Sequence, residues 1–212
     1  MNKKKEKEEI VFKIITIGDG NVGKTSIIRR YVYNVFDPLN TATIGVSFSF
    51  KDVTLQNGKT IKLKLVDTAG QEKYKSVTKS YFKNTDGVLF VFDYNDEKSF
   101  ENISNWIEIF EENNNKDTIL RFLIGNKSDL EQKITKDSIN NFLNQQKNKY
   151  KFESTSALEN VNIDKVFQEL AEDLYKIYLP STNKRQSKKT VLKNDNSYQK
   201  KRSCICNLEP MQ

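Results

Sequence analysis

Two kinds of hydrophobic pattern alternate along this chain. Short apolar runs rich in β-branched residues, typical of buried strands, alternate with stretches in which apolar residues recur every three or four positions, as on one face of a helix. The predicted strands span 10–17, 47–55, 60–66, 87–92, 118–124 and 151–154. The predicted helices carry Ile27, Ile28 and Tyr31; Phe100, Ile103, Trp106, Ile107 and Phe110; Ile139, Phe142 and Leu143; and Ile163, Val166, Phe167, Leu170 and Leu174.

Strands and helices that alternate in this way predict an α/β fold with a mainly parallel six-stranded sheet and helices on both faces. One strand pair should differ. Asn57-Gly58, a strong signal for a tight hairpin turn, joins the second strand to the third. Lys62 and Lys64 alternate with apolar residues in the third strand, as expected of a half-buried strand. The sheet should therefore contain one antiparallel strand.

The ends of the chain differ in composition from its middle. Residues 1–9 are a charged extension, and 10–179 carry the predicted domain. Pro180 should end the last helix, and Lys, Asn, Ser and Gln dominate after it, so 180–212 are predicted to form a flexible basic tail.

The net charge of +7 is confined to this tail. Eight basic residues and one acid lie between Ser181 and Ser203, whereas the rest of the chain has 27 of each sign. A neutral domain argues against a nucleic-acid partner. A basic tail is attracted to an acidic surface such as an anionic membrane leaflet, although plain solvated disorder has the same composition.

The cysteine count restricts the classes further. Cys204 and Cys206 are the only cysteines, and the chain has no histidine. A zinc site of four Cys and His ligands and a disulfide framework are therefore both excluded, and a reducing compartment is expected. The first residues are charged and the longest apolar run, 88–92, is short, so neither a signal peptide nor a transmembrane span is predicted.

The segment from Gly18 to Thr25 fits the phosphate-loop pattern G-x-x-x-x-G-K-[ST] between a strand and a helix. Glycines let backbone N–H groups converge on phosphates, Lys24 reaches phosphate oxygens, and the Thr25 hydroxyl is offered to Mg²⁺. The fold is therefore predicted to be of the P-loop NTPase type. The predicted phosphate contacts are Gly20, Asn21, Val22, Gly23, Lys24, Thr25 and Ser26.

A dinucleotide-binding oxidoreductase is the alternative, because Gly18, Gly20 and Gly23 also satisfy G-x-G-x-x-G. Its ribose-binding acid should close a second parallel strand. Asp37 has about the right spacing but precedes Pro38 in a loop-like stretch, and the alternative leaves Lys24 unused. We therefore reject it.

Two further motifs follow predicted strands. Asp67 begins an Asp-x-x-Gly segment in which the acid can hold the magnesium shell and Gly70 can present its N–H to the γ-phosphate. Asn126, Lys127 and Asp129 form Asn-Lys-x-Asp after the strand at 118–124. The Asp129 carboxylate can accept both the ring N–H and the exocyclic amine of guanine, whereas adenine offers a lone pair there.

A third segment, Thr155-Ser156-Ala157, also follows a strand and could bring backbone N–H groups to the guanine carbonyl oxygen. A plain turn has the same residue types, so this signal is only supporting. Together with the adjoining Leu158, Ser156 and Ala157 complete the predicted base pocket.

In this order and spacing, the motifs resemble those of the Ras-like small GTPases from Val11 to Tyr178. The resemblance implies binding of GTP and GDP with Mg²⁺ and slow hydrolysis of GTP. It also implies that Thr43 closes on Mg²⁺ and the γ-phosphate, that Phe36 packs on guanine, and that Gln71 is the catalytic residue that orients the attacking water. The metal set would then be Thr25, Thr43 and Asp67.

Within these GTPases the chain is most similar to the Rab branch, which regulates vesicle traffic. The segments that carry this likeness are Ile44-Gly-Val-Ser-Phe48, Lys73-Tyr74-Lys-Ser, Ser80-Tyr81-Phe82-Lys, Asp93-Tyr-Asn-Asp96, Lys98-Ser-Phe100 and Cys204-x-Cys206. Four features depart from the Rab pattern: Ser47 replaces Asp, Val66 replaces Trp, Leu158 replaces Lys, and residues 207–212 follow the cysteines.

The Rab resemblance implies an exchange factor, an activating protein and effectors that contact the switch segments. It implies lipidation of Cys204 and Cys206 and a monomer in the cytoplasm, peripheral on the cytosolic face of an intracellular membrane. Two other functions have to be compared with this one. A module that holds nucleotide without hydrolysing it is disfavoured because Thr25, Thr43 and Gln71 are all present. A nucleotide-regulated carrier of the nuclear-transport branch is disfavoured because the tail is basic and contains cysteines.

Overall fold

The computed structural model describes residues 9–39, 43, 45–68, 80–114 and 118–195, with side chains as far as residue 180. The strands are β1 Val11–Ile17, β2 Val46–Thr54, β3 Thr60–Thr68, β4 Gly87–Asp93, β5 Leu120–Asn126 and β6 Lys151–Ser154. The helices of this part of the chain are α1 Lys24–Tyr33, α2 Glu97–Glu101, α3 Ile103–Glu111, α4 Lys136–Gln145 and α5 Ile163–Asp195.

The strands form one six-stranded sheet in the order β2-β3-β1-β4-β5-β6. Every neighbouring pair is parallel except β2 with β3. Between those two strands, Leu55 N donates to Lys59 O over 2.8 Å and Gly58 has a φ of 76°, a left-handed conformation that suits glycine. The predicted mainly parallel sheet with one antiparallel strand is confirmed.

Helices cover both faces of the sheet because successive residues of a strand point to opposite sides. On one face, Ile15 and Phe90 belong to a buried cluster with Trp106 and Phe110 of α3. On the other face, α1 meets α5, where the Tyr31 and Phe167 rings stack with centroids 4.0 Å apart. Each large side chain buried in this way contributes about 1.5–3 kcal/mol, so the two layers hold the sheet rigid beneath its loops.

Two details of the helix predictions are wrong. The helix expected through Phe100 to Phe110 is divided at Asn102, whose N–H donates to both the Lys98 and Phe100 carbonyls and ends α2 in a tight turn. The last helix does not end at Pro180, since α5 includes it. The φ of proline is compatible with a helix, and the missing N–H costs one backbone bond.

The chain consists of two compact units, Met1–Leu174 and Tyr175–Gln212, in each of which the residues mainly contact one another. The sheet and the motifs identified above, apart from the cysteines, lie in the first unit. The boundary predicted between residues 179 and 180 stays a prediction. None of the helices in the described segments combines the length and apolarity needed to cross a membrane.

Candidate functional site

The loops that follow β1 and β5 and the end of β3 surround a cavity of about 600 Å³ at the carboxyl edge of the sheet. This edge is where ligands bind in open α/β folds. Most predicted site residues line the cavity: Gly20, Asn21, Gly23, Lys24, Thr25, Ser26, Phe36, Thr43, Asn126, Lys127, Asp129, Ala157 and Leu158. The lining also includes residues that were not predicted as site residues: Asp37, Pro38, Thr68 and Leu130.

The phosphate loop depends on two glycines for steric reasons. A Cβ at Gly18 would lie 2.1 Å from Val91 O, and one at Gly23 would lie 2.2 Å from Asn126 Nδ2. Gly23 also has a φ of 95° and precedes α1 without a side-chain cap. The first N–H groups of α1 therefore have no capping side chain, and an uncapped helix N-terminus favours an anion.

Lys24 is buried and held by the loop that it serves. Its Nζ donates to Gly18 O over 2.9 Å and to Asp19 O over 2.5 Å. An ammonium group has three hydrogens, and two of them are used by these carbonyls, so among the described residues the third is left for a ligand in the cavity. Burial lowers the pKa of Lys24 to about 8, although the Asp67 and Asp19 carboxylates act in the opposite direction. A polyphosphate would supply the negative charge that this buried cation needs.

The three predicted metal ligands converge at one side of the cavity. Thr25 Oγ1 donates to Asp67 Oδ2 over 2.7 Å and lies 2.7 Å from Thr43 Oγ1, which is then the donor in the second bond. Burial raises the pKa of Asp67, and the Thr25 hydrogen bond and the Lys24 charge partly offset this.

The second oxygen of the Asp67 carboxylate also bears on a metal site. Asp67 Oδ1 is buried and has no hydrogen-bond partner in the described segments. Hydroxyl and carboxylate oxygens are the ligands that Mg²⁺ prefers. The residues present therefore fit a magnesium ion.

Asn126 joins the two ends of the cavity. Its Nδ2 donates to Val22 O of the phosphate loop over 2.9 Å. Its Oδ1 accepts from Thr155 Oγ1 over 3.2 Å and from Ala157 N over 3.3 Å. The side chain is 1% exposed. Because all these partners are buried, Asn126 fixes the loops after β1, β5 and β6 relative to one another.

Asp129 is oriented by Ser156, whose Oγ donates to Asp129 Oδ1. Ser156 is fully buried and does not line the cavity, so its side chain acts on the site through Asp129. The carboxylate is thereby held at the end of the cavity opposite the metal ligands. An oriented acceptor that faces a base distinguishes guanine, which presents two N–H donors, from adenine.

The sequence motifs did not predict two contacts that hold residues of the cavity lining in place. Lys127, which has a φ of 60°, pairs with Asp93 at the end of β4, with Nζ and Oδ2 2.6 Å apart. Arg30 of α1 donates through Nε to Ala157 O over 2.9 Å and through Nη2 to Leu158 O over 3.0 Å. Neither Asp93 nor Arg30 lies within a nucleotide motif. The one available signal was that a polar residue ends the apolar β4 strand.

The remaining predicted residues divide into two groups. Val22 is buried and contributes its carbonyl to Asn126 without lining the cavity. Gly70, Gln71, Cys204 and Cys206 lie outside the described residues, so their predicted roles stay predictions.

These features define a class of protein. A phosphate loop with a buried lysine, a group of hydroxyl and carboxylate oxygens that fits a magnesium ion, and an oriented carboxylate in the same cavity suit a purine nucleotide. The class is a phosphate-loop nucleotide-binding protein.

Comparison with known proteins agrees with this class. A sequence model of the Ras family matches residues 13–176. The chain is 40% identical over 170 residues to Ras-related protein Rab-10 of Diplobatis ommata, covering 80% of this chain and 84% of that protein. It is 39% identical over 166 residues to Rab-13 of Rattus norvegicus, covering 77% and 80%. It is also 39% identical over 170 residues to RabC of Dictyostelium discoideum, covering 79% and 85%.

The chain therefore belongs to the Ras family and is most similar to its Rab members. It is a GTPase: it binds GTP and GDP, hydrolyses GTP, and acts as a Rab-like switch in membrane trafficking. Membership implies exchange factors, activating proteins and effectors as partners.

Proposed function

We propose that Thr25, Thr43 and Asp67 hold Mg²⁺ in the nucleotide-bound switch. The observation that carries this proposal is the buried Asp67 Oδ1, which lacks a hydrogen-bond donor among the described residues while Oδ2 accepts from Thr25. When bound, the ion would supply positive charge that neutralises phosphate oxygens. Thr43 contributes only while its hydroxyl stays beside that of Thr25, which couples the position of Thr43 to the nucleotide state.

Hydrolysis is proposed to depend on positioning and charge rather than on a covalent intermediate. Lys24 and the N–H groups at the start of α1 stabilise negative charge on the phosphates, and Gln71 orients the attacking water. No arginine is among the described residues that line the cavity. Intrinsic hydrolysis should therefore be slow, and an activating protein should supply the missing positive charge.

Release of bound GDP, measured with and without Mg²⁺, tests the metal site. In the wild type, chelation should speed release at least about tenfold, because metal ligation adds more than a single hydrogen bond. Asp67→Ala and Thr25→Ala should release GDP fast under both conditions. Thr25→Ser, which keeps the hydroxyl, is the matched control and should respond like the wild type. An unchanged response in Asp67→Ala would remove Asp67 from the metal site.

The role of Gln71 is tested separately, by single-turnover phosphate release. Gln71→Leu should bind GTP as the wild type does and hydrolyse it more slowly, with and without an activating protein. Equal hydrolysis rates for the two proteins would show that Gln71 is not catalytic.

We further propose that the protein works as a monomer, peripheral on the cytosolic face of an intracellular membrane. Cys204 and Cys206 would both be prenylated, because one lipid chain gives only marginal binding and two anchor stably. The eight basic residues between Ser181 and Ser203 would add about 1 kcal/mol for each one close to an anionic leaflet.

Mass spectrometry of the C-terminal peptide from native cells tests the anchor. Two prenyl groups are expected. Two free thiols would contradict covalent attachment, and any remaining membrane association should then disappear in high salt. A double Cys204→Ser, Cys206→Ser variant should lose salt-resistant attachment.

A further inference from the structure

Asp19 lies within the phosphate loop, but its carboxylate does not belong to the cavity lining. Both of its oxygens accept hydrogen bonds from the segment around the start of α3. Trp106 Nε1 donates to Oδ1 over 2.6 Å, and Asn102 Nδ2 donates to Oδ2 over 2.7 Å. We call these three side chains the Asp19 clamp.

The two donors are rigidly placed by α3. Asn102 and Trp106 are four residues apart, and Trp106 N donates to Asn102 O over 3.1 Å, so their side chains share one helix face. Trp106 is 3% exposed and belongs to the core cluster that contains Phe90 and Phe110. The clamp therefore ties the phosphate loop to the hydrophobic core of the domain.

Asp19 also holds Lys24 in place through its main chain. While its side chain is clamped, the main-chain carbonyl of Asp19 accepts from Lys24 Nζ over 2.5 Å. A peptide group whose side chain is fixed at both oxygens loses rotational freedom, so its carbonyl keeps its direction. The hydrogen bonds run from α3 through Asp19 to the Lys24 ammonium.

Electrostatics gives the clamp a second effect. A carboxylate in a loop that binds polyphosphate would repel the ligand if it rotated toward the cavity. Two donors on the opposite side satisfy the negative charge away from the phosphates. The loop thus gains an anchoring group without exposing its charge to the ligand.

We propose that Trp106 and Asn102 are positioning residues for nucleotide retention, which act through Asp19 on the phosphate loop and Lys24. The proposal rests on the assignment of the cavity as the nucleotide site. Neither residue touches the cavity, and their effect is on how long GDP and GTP stay bound.

The dissociation rate of radiolabelled GDP, in a double-mutant cycle, tests the proposal. Trp106→Phe keeps an aromatic ring but lacks the N–H, and it should speed release about five- to tenfold, which is less than the full loss of a hydrogen bond to a charged group because the effect reaches the nucleotide only through Asp19. Asn102→Ala should speed release about threefold, since that contact is exposed. In the Asp19→Ala background, both substitutions should change the rate less than about twofold.

A merely structural tryptophan would give a different result. Trp106→Phe would then change release equally with and without Asp19, and that additivity would overturn the proposal. Phe110→Leu is the matched control, because Phe110 lies on the same helix and is fully buried, but its ring packs against Phe82 and Phe90 rather than on Asp19. It should lower the melting temperature and leave GDP release unchanged.

The indole N–H supplies a readout that needs no substitution at Trp106, the only tryptophan of the chain. The single indole N–H proton resonance, in a proton–nitrogen-15 correlation spectrum of the GDP complex, should lie downfield, because the acceptor is a carboxylate. Asp19→Ala should move it upfield while tryptophan fluorescence still reports a buried ring. An unmoved resonance would contradict the clamp even if a Trp106 variant fails to fold.

The outcomes also separate this proposal from the nucleotide assignment. Failure of the wild-type protein to bind GDP would remove the assignment itself. Tight GDP binding by the wild type, with unchanged release from Trp106→Phe and Asn102→Ala, would remove the clamp alone.

Discussion

The two ends of the nucleotide cavity are built in different ways. At the phosphate end, consecutive residues from Gly18 to Thr25 supply the site, and the lysine is held by main-chain carbonyls. At the base end, Asn126 and Asp129, at and just after the end of β5, are joined by side-chain hydrogen bonds to Thr155 and Ser156, which follow β6. One end therefore depends on local backbone conformation, whereas the other depends on a side-chain network.

This difference predicts how each end tolerates change. Substitution at the phosphate end alters phosphate affinity whatever the base, whereas substitution at the base end alters discrimination between bases. Asn126 belongs to both ends through its bond to Val22 O. The ratio of GDP to inosine diphosphate affinity separates the two effects, because inosine lacks the exocyclic amine of guanine.

The largest effect is expected at Asp129. Asp129→Asn removes a charged acceptor for two guanine N–H groups and places an amide donor near them, so GTP affinity should fall about 1,000-fold. Xanthine nucleotides should bind better, and the preference for GDP over inosine diphosphate should collapse. Equilibrium titration with fluorescent nucleotides measures this. Asp137→Asn, at an exposed acid of α4, should change nothing. ATP binding by the wild type as tight as GTP binding would refute the assignment.

Asn126→Ala should weaken both ends together. It removes three buried hydrogen bonds and leaves Val22 O without its donor, so affinity should fall about 100-fold for GDP and for inosine diphosphate alike. The same titration checks the preserved ratio. Asn140→Ala, on the exposed side of α4, is the control. A loss confined to GDP would mean that Asn126 serves only the base.

The pH dependence of binding probes the phosphate end alone. Burial lowers the pKa of Lys24 to about 8 in the free protein, and phosphates would raise it again. The bound state then holds more protons than the free state at alkaline pH. GDP affinity should therefore fall as pH rises above about 8, by up to about tenfold per unit.

Folding stability of the free protein should change in the opposite direction. The folded pKa of Lys24 lies below its unfolded value, so the cost of burying the charge is relieved as pH rises from about 8 toward 10.5. The predicted fall in GDP affinity is checked by titration of GDP between about pH 7 and about pH 9, with chelator present. Lys24→Met should abolish this pH dependence of GDP affinity. A GDP affinity of the wild type that does not change with pH would contradict the role given to the buried Lys24 charge.

The smallest effect is expected at Arg30, which holds the base loop, the segment after β6 that contains Ala157 and Leu158, through partly exposed hydrogen bonds to the carbonyls of those two residues. Arg30→Ala should reduce GDP affinity about threefold, and Arg30→Lys should restore part of it. Lys136→Ala, an exposed cation on α4, is the control for lost charge. A loss above about tenfold would show that the base loop depends on a single anchor rather than on a network.

The class of fold and the phosphate end of the site could be predicted from the amino-acid sequence alone. The spacing of apolar residues identifies strands and helices, because each element must bury one or both of its faces and so places apolar side chains at a regular spacing. The Gly18–Thr25 loop is recognisable for a similar reason, since its chemistry lies in consecutive residues. Asp67, Asn126 and Asp129 were also predictable, because each ends or follows an apolar strand whose carboxyl end must reach the ligand edge.

The distant residues that support those motifs are visible only in the folded chain. Arg30 and Ala157 are 127 positions apart, and Asp19 and Trp106 are 87 apart. A hydrogen bond between such residues leaves no periodic trace, because it depends on how two elements pack rather than on either one alone. The prediction that the last helix ends at Pro180 is wrong for a related reason. The low helix propensity of a single proline is a weak signal, and the other residues of a long helix can outweigh it.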